Sequence, residues 1–305
     1  MSRWLCFVLA ATLVASAQQP QTSLPPTART NMAERQQAPT YSDVYCAGFI
    51  SKKPIAPKNF VVAGLETANS SQFAKGDVMF VEGGGLQEGA LISLVRELHD
   101  PNENEGYRGQ HAAVRATGQP YADLGWARIV AVRGSAAVAR IEFSCAPVVA
   151  RDVAVPFEER AIMDSRKNVP FDRFPRASSS LTGQVVLAKD FDTVLGIGQK
   201  VYLNLGSDKG VKTGDYFNIL RSYDPAEMEE IDSLSYRAHA SEDTQNSKRK
   251  IKSENYAALP MRAVGQAVVL MSNPGSSTAM ITFALEDVLV GDQVEMLPVT
   301  SASAH

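Results

Sequence analysis

The chain has 305 residues, 45% apolar and 21% charged, with 30 basic against 33 acidic side chains and a formal charge of −3. That length suits two domains plus unstructured ends, each domain large enough to bury a core of its own. The mixed, weakly acidic balance excludes nucleic acid as the expected partner, because a nucleic-acid-binding domain gathers its basic residues on one face to displace counterions.

Arg3 precedes the apolar run WLCFVLAATLVA, which is too short to span a bilayer comfortably, and Ala15-Ser16-Ala17 fits the small-x-small cleavage rule. Residues 1–17 therefore read as a signal peptide, with export to the periplasm or cell envelope and no membrane span left after cleavage. Cys6 leaves with the leader, and Cys46 and Cys145 remain. In an oxidising compartment two cysteines within one domain are candidates for a bridge; two buried free thiols are the alternative. Residues 18–43, rich in Gln, Pro, Thr and Ala and without periodicity, read as a disordered linker that acts as a tether.

Residues 44–155 form a first β domain. FVVAGL, from Phe60 to Leu65, is its opening strand. GDVMFVEGGGLQEGALISLVR, Gly76 to Arg96, follows with a strand, a glycine turn at Gly83 to Gly85, a turn at Gly89, a second strand and a closing arginine. A strand follows EGGG where a phosphate cradle needs a helix N-terminus, so this stretch reads as a hairpin turn. Residues Glu97 to Leu124 are polar and carry Pro101 and Pro120, an excursion from the sheet. They hold His99, Asp100 and His111, whose spacing matches no ligand set or catalytic motif, so they read as loop residues.

Residues 156–183 form a linker whose aromatics Phe157, Phe171 and Phe174 imply that it lies across the domains. A second β domain occupies residues 184–298. Val201, Leu203 and Leu205 alternate with Lys200, Tyr202 and Asn204, the period of a strand with one buried face. Gly206 and Gly210, then Gly214-Asp215, supply the turns of a short meander. The polar insert 222–259 starts with an acidic stretch that could form a brief helix after Pro225. Its later half carries Lys248, Arg249, Lys250 and Lys252, readable as a contact for an anionic partner or as a solvated loop. Residues 299–305 are a tail.

The second domain repeats the first. At a constant offset of roughly 140 positions, Gly125, Ala127, Ala139, Ile141, Phe143, Val148 and Asp152 meet identical residues in GQAVVLMSNPGSSTAMITFALEDVLVGDQVEML. The pairs Gly76-Asp77, Gly214-Asp215 and Gly291-Asp292 each precede a strand, and aspartate there is expected to bond its own backbone in a turn instead of binding calcium. Ala90 and Arg151 interrupt this turn chemistry in the first copy. The fold class expected is mainly β, two tandem small β-barrel or β-sandwich-like domains with polar loop inserts.

VYLNLGSDKGVKTGDYFNILR, Val201 to Arg221, and the glycine-turned strands from Val264 to Met296 resemble the β module at the carboxyl end of flagellar assembly protein T. They are also similar to the module that follows LysM in pilus-secretin-associated envelope proteins, although no LysM repeat is present here. The resemblance implies an exported, non-enzymatic scaffold or assembly protein without cofactor or metal. Its partners would be envelope proteins, such as a ring-forming secretin or the base of a pilus or flagellum. A binding module for peptidoglycan or another anionic surface is the alternative.

Overall fold

The computed structural model describes residues 36–65, 72–162, 169–176, 181–223 and 258–298. The protein is mainly β and contains two closed antiparallel barrels of six strands. The stretch read as a signal peptide, residues 1–17, the stretch read as a tail, residues 299–305, the helix expected after Pro225 and the cluster Lys248 to Lys252 lie outside the described residues.

The first barrel uses β2 (Phe60–Gly64), β3 (Val78–Glu82), β4 (Leu91–Glu97), β5 (Gln119–Arg133), β6 (Ala136–Ser144) and β7 (Val153–Pro156), preceded by helix α1 (Tyr41–Tyr45) and a short strand β1 (Phe49–Ser51). Its ring order is β5-β4-β7-β2-β3-β6, closed by the β5–β6 pairing, and β1 pairs with the start of β5. Helix α2 (Gln110–Thr117) lies between β4 and β5. The second barrel uses β8 (Thr182–Ala188), β10 (Lys200–Leu203), β11 (Tyr216–Arg221), β12 (Arg262–Asn273), β13 (Ser276–Ala284) and β15 (Gln293–Met296), with a two-stranded ribbon of β9 (Val194–Leu195) and β14 (Val288–Leu289) at one end. Its order, β12-β11-β15-β8-β10-β13, reproduces the first strand for strand.

The likeness reaches individual residues. Met79 pairs with Ala139 and Val201 with Ala279. The β-bulges repeat too, beside Val62 and Val186 and again beside Val130 and Leu270. Bulges bend and twist strands where a sheet must close on itself, so their repetition keeps the barrel shape the same in both copies. Gly125 and Gly265 sit at one such bend. A Cβ on Gly125 would lie 2.0 Å from the Phe143 carbonyl oxygen, and one on Gly265 would lie 2.6 Å from that of Phe283. Only glycine allows that approach of two backbones.

Both rings are filled. Val201, Leu203, Val269, Ala279 and Ile281 meet inside the second, and Met79, Val81, Ile129, Ala139 and Ile141 inside the first. These are the inward residues of the alternation, each fully buried aliphatic side chain contributing roughly 1.5–3 kcal/mol.

Several sequence expectations change. β3 and β4 are not neighbours: they stand on opposite sides of the ring, as do β10 and β11. The EGGG stretch is therefore a crossing of the barrel end and not a hairpin turn, and neither copy is a simple meander. Asn59 Oδ1 accepts from Gly84 N in this crossing. The excursion after Glu97 is shorter than expected, because Gln119 to Leu124 belong to β5, and it contains helix α2. The stretch read as a tether is placed from residue 36 onward, with Gln37 N donating to Thr282 O and Thr40 capping α1.

The interrupted turns form nonetheless. Arg151 adopts φ 78°, matching Gly291 at φ 105°. Asp152 Oδ2 accepts from Val149 N, as Asp292 Oδ2 does from Leu289 N. Ala90 keeps the backbone bond to Gln87 O and lacks only the side-chain bond that Asp215 makes to Lys212 N.

Candidate docking site at the seam and the cleft

The Gly-Asp pairs are turn elements. Asp77 Oδ2 accepts from Ala74 N and Asp215 Oδ2 from Lys212 N, both at 2.8 Å, so their carboxylates are engaged by backbone three residues earlier. Gly206 and Gly210 flank a short 3-10 turn at Ser207–Lys209, with Gly210 at φ 86°. Asp152 and Asp292 each do a second task. Arg96 donates through Nε and Nη2 to both Asp152 oxygens at 2.7 Å, and Arg221 holds Asp292 the same way at 2.8 and 2.7 Å. The closing arginine of each copy thus locks its last turn to the third strand of its barrel by a bidentate pair. Burial pushes the Asp292 carboxyl above its ordinary value despite the arginine.

His99, Asp100 and His111 are not brought into a site. His99 is exposed beside Glu97 at 3.8 Å. Asp100 Oδ1 accepts from Asn102 N in a turn, and His111 sits in the first turn of α2, where Glu105 accepts from both its N–H and that of Gly109. No group of three or more potential metal ligands occurs among the described residues.

The chemistry that sequence reading missed lies between the barrels. The segment from Gln36 to Ser51 runs over the outside of the second barrel before β1 joins the first. Tyr202 Oη donates to Ala47 O at 3.4 Å, Thr278 Oγ1 to Gly48 O at 2.9 Å and Ser276 Oγ to Ile50 O at 2.8 Å. Val44, Tyr45 and Ala47 pack with Val268, Leu270 and Met280, while Ile50 packs with Val186 and Tyr202. Tyr202 is consequently buried, together with Thr278, Met280 and Thr282. β10 and β13 are covered on both faces, which for β10 corrects the expectation of one.

Ion pairs pin this segment. Lys200 Nζ bonds Asp43, and burial, which raises the Asp43 carboxyl, is outweighed by the Lys200 and Thr40 bonds that hold it below its ordinary range. Asp123 receives Arg160 at 2.7 and 2.8 Å and also Gly48 N at 2.9 Å. Cys46 and Cys145 form a disulfide with Cα atoms 5.5 Å apart, tying the segment to the end of β6. The linker adds a second strap. Phe157 packs on Tyr45 and Trp126, and Phe171 on Phe283. Buried Gln266 donates to Pro170 O and Asn218 Oδ1 and accepts from Gln36. Phe174 is 54% exposed and does not share this role.

At the far end of the second barrel an open cleft of about 650 Å³ lies between residues 102–109 of the first barrel's insert and the β9–β14 ribbon. Tyr107 forms its wall. A Cβ on Gly291 would meet the Tyr107 ring at 2.9 Å, so glycine serves here both the positive φ and the seat of the ring. Burial pushes the Tyr107 hydroxyl up to about 12 and leaves its oxygen without a hydrogen-bond partner among the described residues. Gln110 fixes the insert in place, accepting from Gly106 N at 2.7 Å and donating to Val186 O at 3.3 Å. The remaining rim is polar and carries both signs of charge, with Glu103, Glu105 and Arg108 from the insert.

No protein family's sequence profile matches the chain, and no curated protein matches it. Among the described residues no helix is long and apolar enough to cross a membrane.

Proposed function

We propose that the protein is an exported scaffold or assembly protein of the cell envelope, binding other proteins around a ring-forming secretin or the base of a pilus or flagellum, without catalysing a reaction. The observation that carries this reading is that both barrel interiors are packed with aliphatic side chains. Binding is left to outer faces, loop inserts and the cleft at the barrel end. The Cys46–Cys145 bond supports export, since such bonds persist in oxidising compartments. The two straps between the barrels support a scaffold role, because a fixed spacing between two docking bodies reduces the entropy lost when both are engaged.

The test is lysine-reactive crosslinking in intact producing cells, with adducts mapped by mass spectrometry and a parallel pull-down on purified peptidoglycan. The expected result is recurrent adducts with other envelope proteins and no retention on the polymer. Retention that disappears when Lys248, Arg249, Lys250 and Lys252 are neutralised would replace this reading with polymer binding. Absence of both adducts and retention would overturn it.

A further inference from the structure

The duplication lets one barrel report what the other is built to hold. On the outside of the second barrel, Val186, Tyr202, Thr278 and Leu270 form a row across β8, β10, β13 and β12, buried beneath residues 43–50 together with Ala113 and Val114 of α2 on the Val186 side. Their counterparts on the first barrel are Val62, Phe80, Val138 and Val130. Phe80 pairs with Val138, and Val62 and Val130 are the bulge residues on either side, so the four make a continuous apolar row across β2, β3, β6 and β5. No described residue covers it: Val62 is 44% and Val130 49% exposed, and Phe80 and Val138 are partly exposed.

Charge follows the same logic. In the second barrel Lys200, paired in register with Met280, holds Asp43 at the start of the seated segment. In the first barrel the corresponding pair is Val78 and Arg140, so the cation and the apolar residue have exchanged strands at one register position. Arg140 is exposed and makes no ion pair among the described residues. It stands opposite Arg128, whose carboxylate partner is Glu142. With Glu142 engaged by Arg128, Arg140 leaves a local positive charge beside the apolar row. The hydroxyls of Ser276 and Thr278 that hold carbonyls in the second barrel are Ala136 and Val138 here, so recognition falls to apolar contact and to Arg140.

We propose that this row binds an extended segment of another protein, an acidic residue followed by apolar side chains, laid across the first barrel as residues 43–50 are laid across the second. The occupant is not the same segment of a second copy, because in each copy that segment is seated on its own second barrel and held by the disulfide. The inference rests on the protein-binding reading above and narrows it to one surface and one partner chemistry.

The experiment places a benzophenone amino acid at Val130 in the full chain, in the cells that produce it, and maps the adducts. The expected adduct is with a segment of another polypeptide that carries an acidic residue followed by apolar ones, reduced at least tenfold by Arg140→Glu and unchanged by Lys58→Glu on the exposed surface. Thermal melts of the variants exclude misfolding, since every altered side chain is exposed. Adducts that map to a second copy, that lack this pattern, or that are indifferent to Arg140→Glu overturn the proposal. Such a result alongside lysine adducts elsewhere on the surface would leave the scaffold reading standing, whereas loss of all adducts removes both.

Discussion

Arg151 shows how a repeated backbone outlives its sequence. Its left-handed φ of 78° is imposed by a turn whose other copy uses glycine. The conformation costs a non-glycine residue roughly 1–2 kcal/mol, and glycine's extra unfolded freedom offsets about 0.5–1 kcal/mol of that gain. Arg151→Gly should therefore stabilise the protein by up to about 1 kcal/mol, read as a higher denaturation midpoint at constant m-value. Tyr107 offers a second test at this scale. Its hydroxyl is buried without a partner among the described residues, so Tyr107→Phe removes a desolvation penalty and keeps the ring on Gly291. The variant should match or exceed wild-type stability by about 0–1 kcal/mol, while Gly291→Ala should destabilise by displacing the ring. Loss of stability in Tyr107→Phe would mean that the hydroxyl is bonded.

At the scale of elements, the segment from Asp43 to Ile50 decides how the barrels meet. Asp123 is 6% exposed in its side chain and holds both Arg160 and the Gly48 amide. Asp123→Ala strands a largely buried guanidinium and should cost about 3–5 kcal/mol, with part of the loss regained in Asp123→Ala/Arg160→Met. Asp43 predicts a pH dependence. Its folded pKa lies below its unfolded value, so the Lys200 contact contributes fully above the unfolded carboxylate range and is lost as pH falls through the folded value. Asp43→Asn should accordingly flatten the acid limb of a stability-versus-pH curve and leave its neutral limb parallel to wild type. Much of this element was legible only in part. Alternation at Val201, Leu203 and Leu205 revealed the inward face, because burial inside a ring imposes period two along one strand. Tyr202 looked like a solvent-facing residue, since what covers it comes from over 150 positions away, at Ala47. Ring order was hidden for a related reason: Gly83 to Gly85 announce that the chain turns, not whether it returns beside β3 or crosses to the opposite wall.

For the whole molecule, the disulfide closes a loop with a sequence separation of 99 residues between its cysteines. A loop near that length contributes up to about 4.7 kcal/mol in the chain-entropy description. Reductant should lower the melting temperature of the wild type and leave Cys46→Ser/Cys145→Ser, already shifted, unaffected. A double variant as stable as the oxidised protein would show that the straps alone hold the barrels together. The duplication was readable from the identities at Gly125, Ile141 and Asp152, since bends, inward positions and turn locks constrain residue type locally. Tyr107 left no such trace, because the ring's seat on Gly291 exists only once two distant loops are folded. The seating of residues 43–50 also sets a timetable. Their carbonyl partners Ser276 and Thr278 follow 226 and 230 positions behind Ile50 and Gly48. A chain interrupted before residue 276 lacks these hydroxyls and the Met280 contact, so Val44 and Ala47 should be more accessible in it, read as faster proteolytic cleavage between residues 43 and 50 than in the full chain.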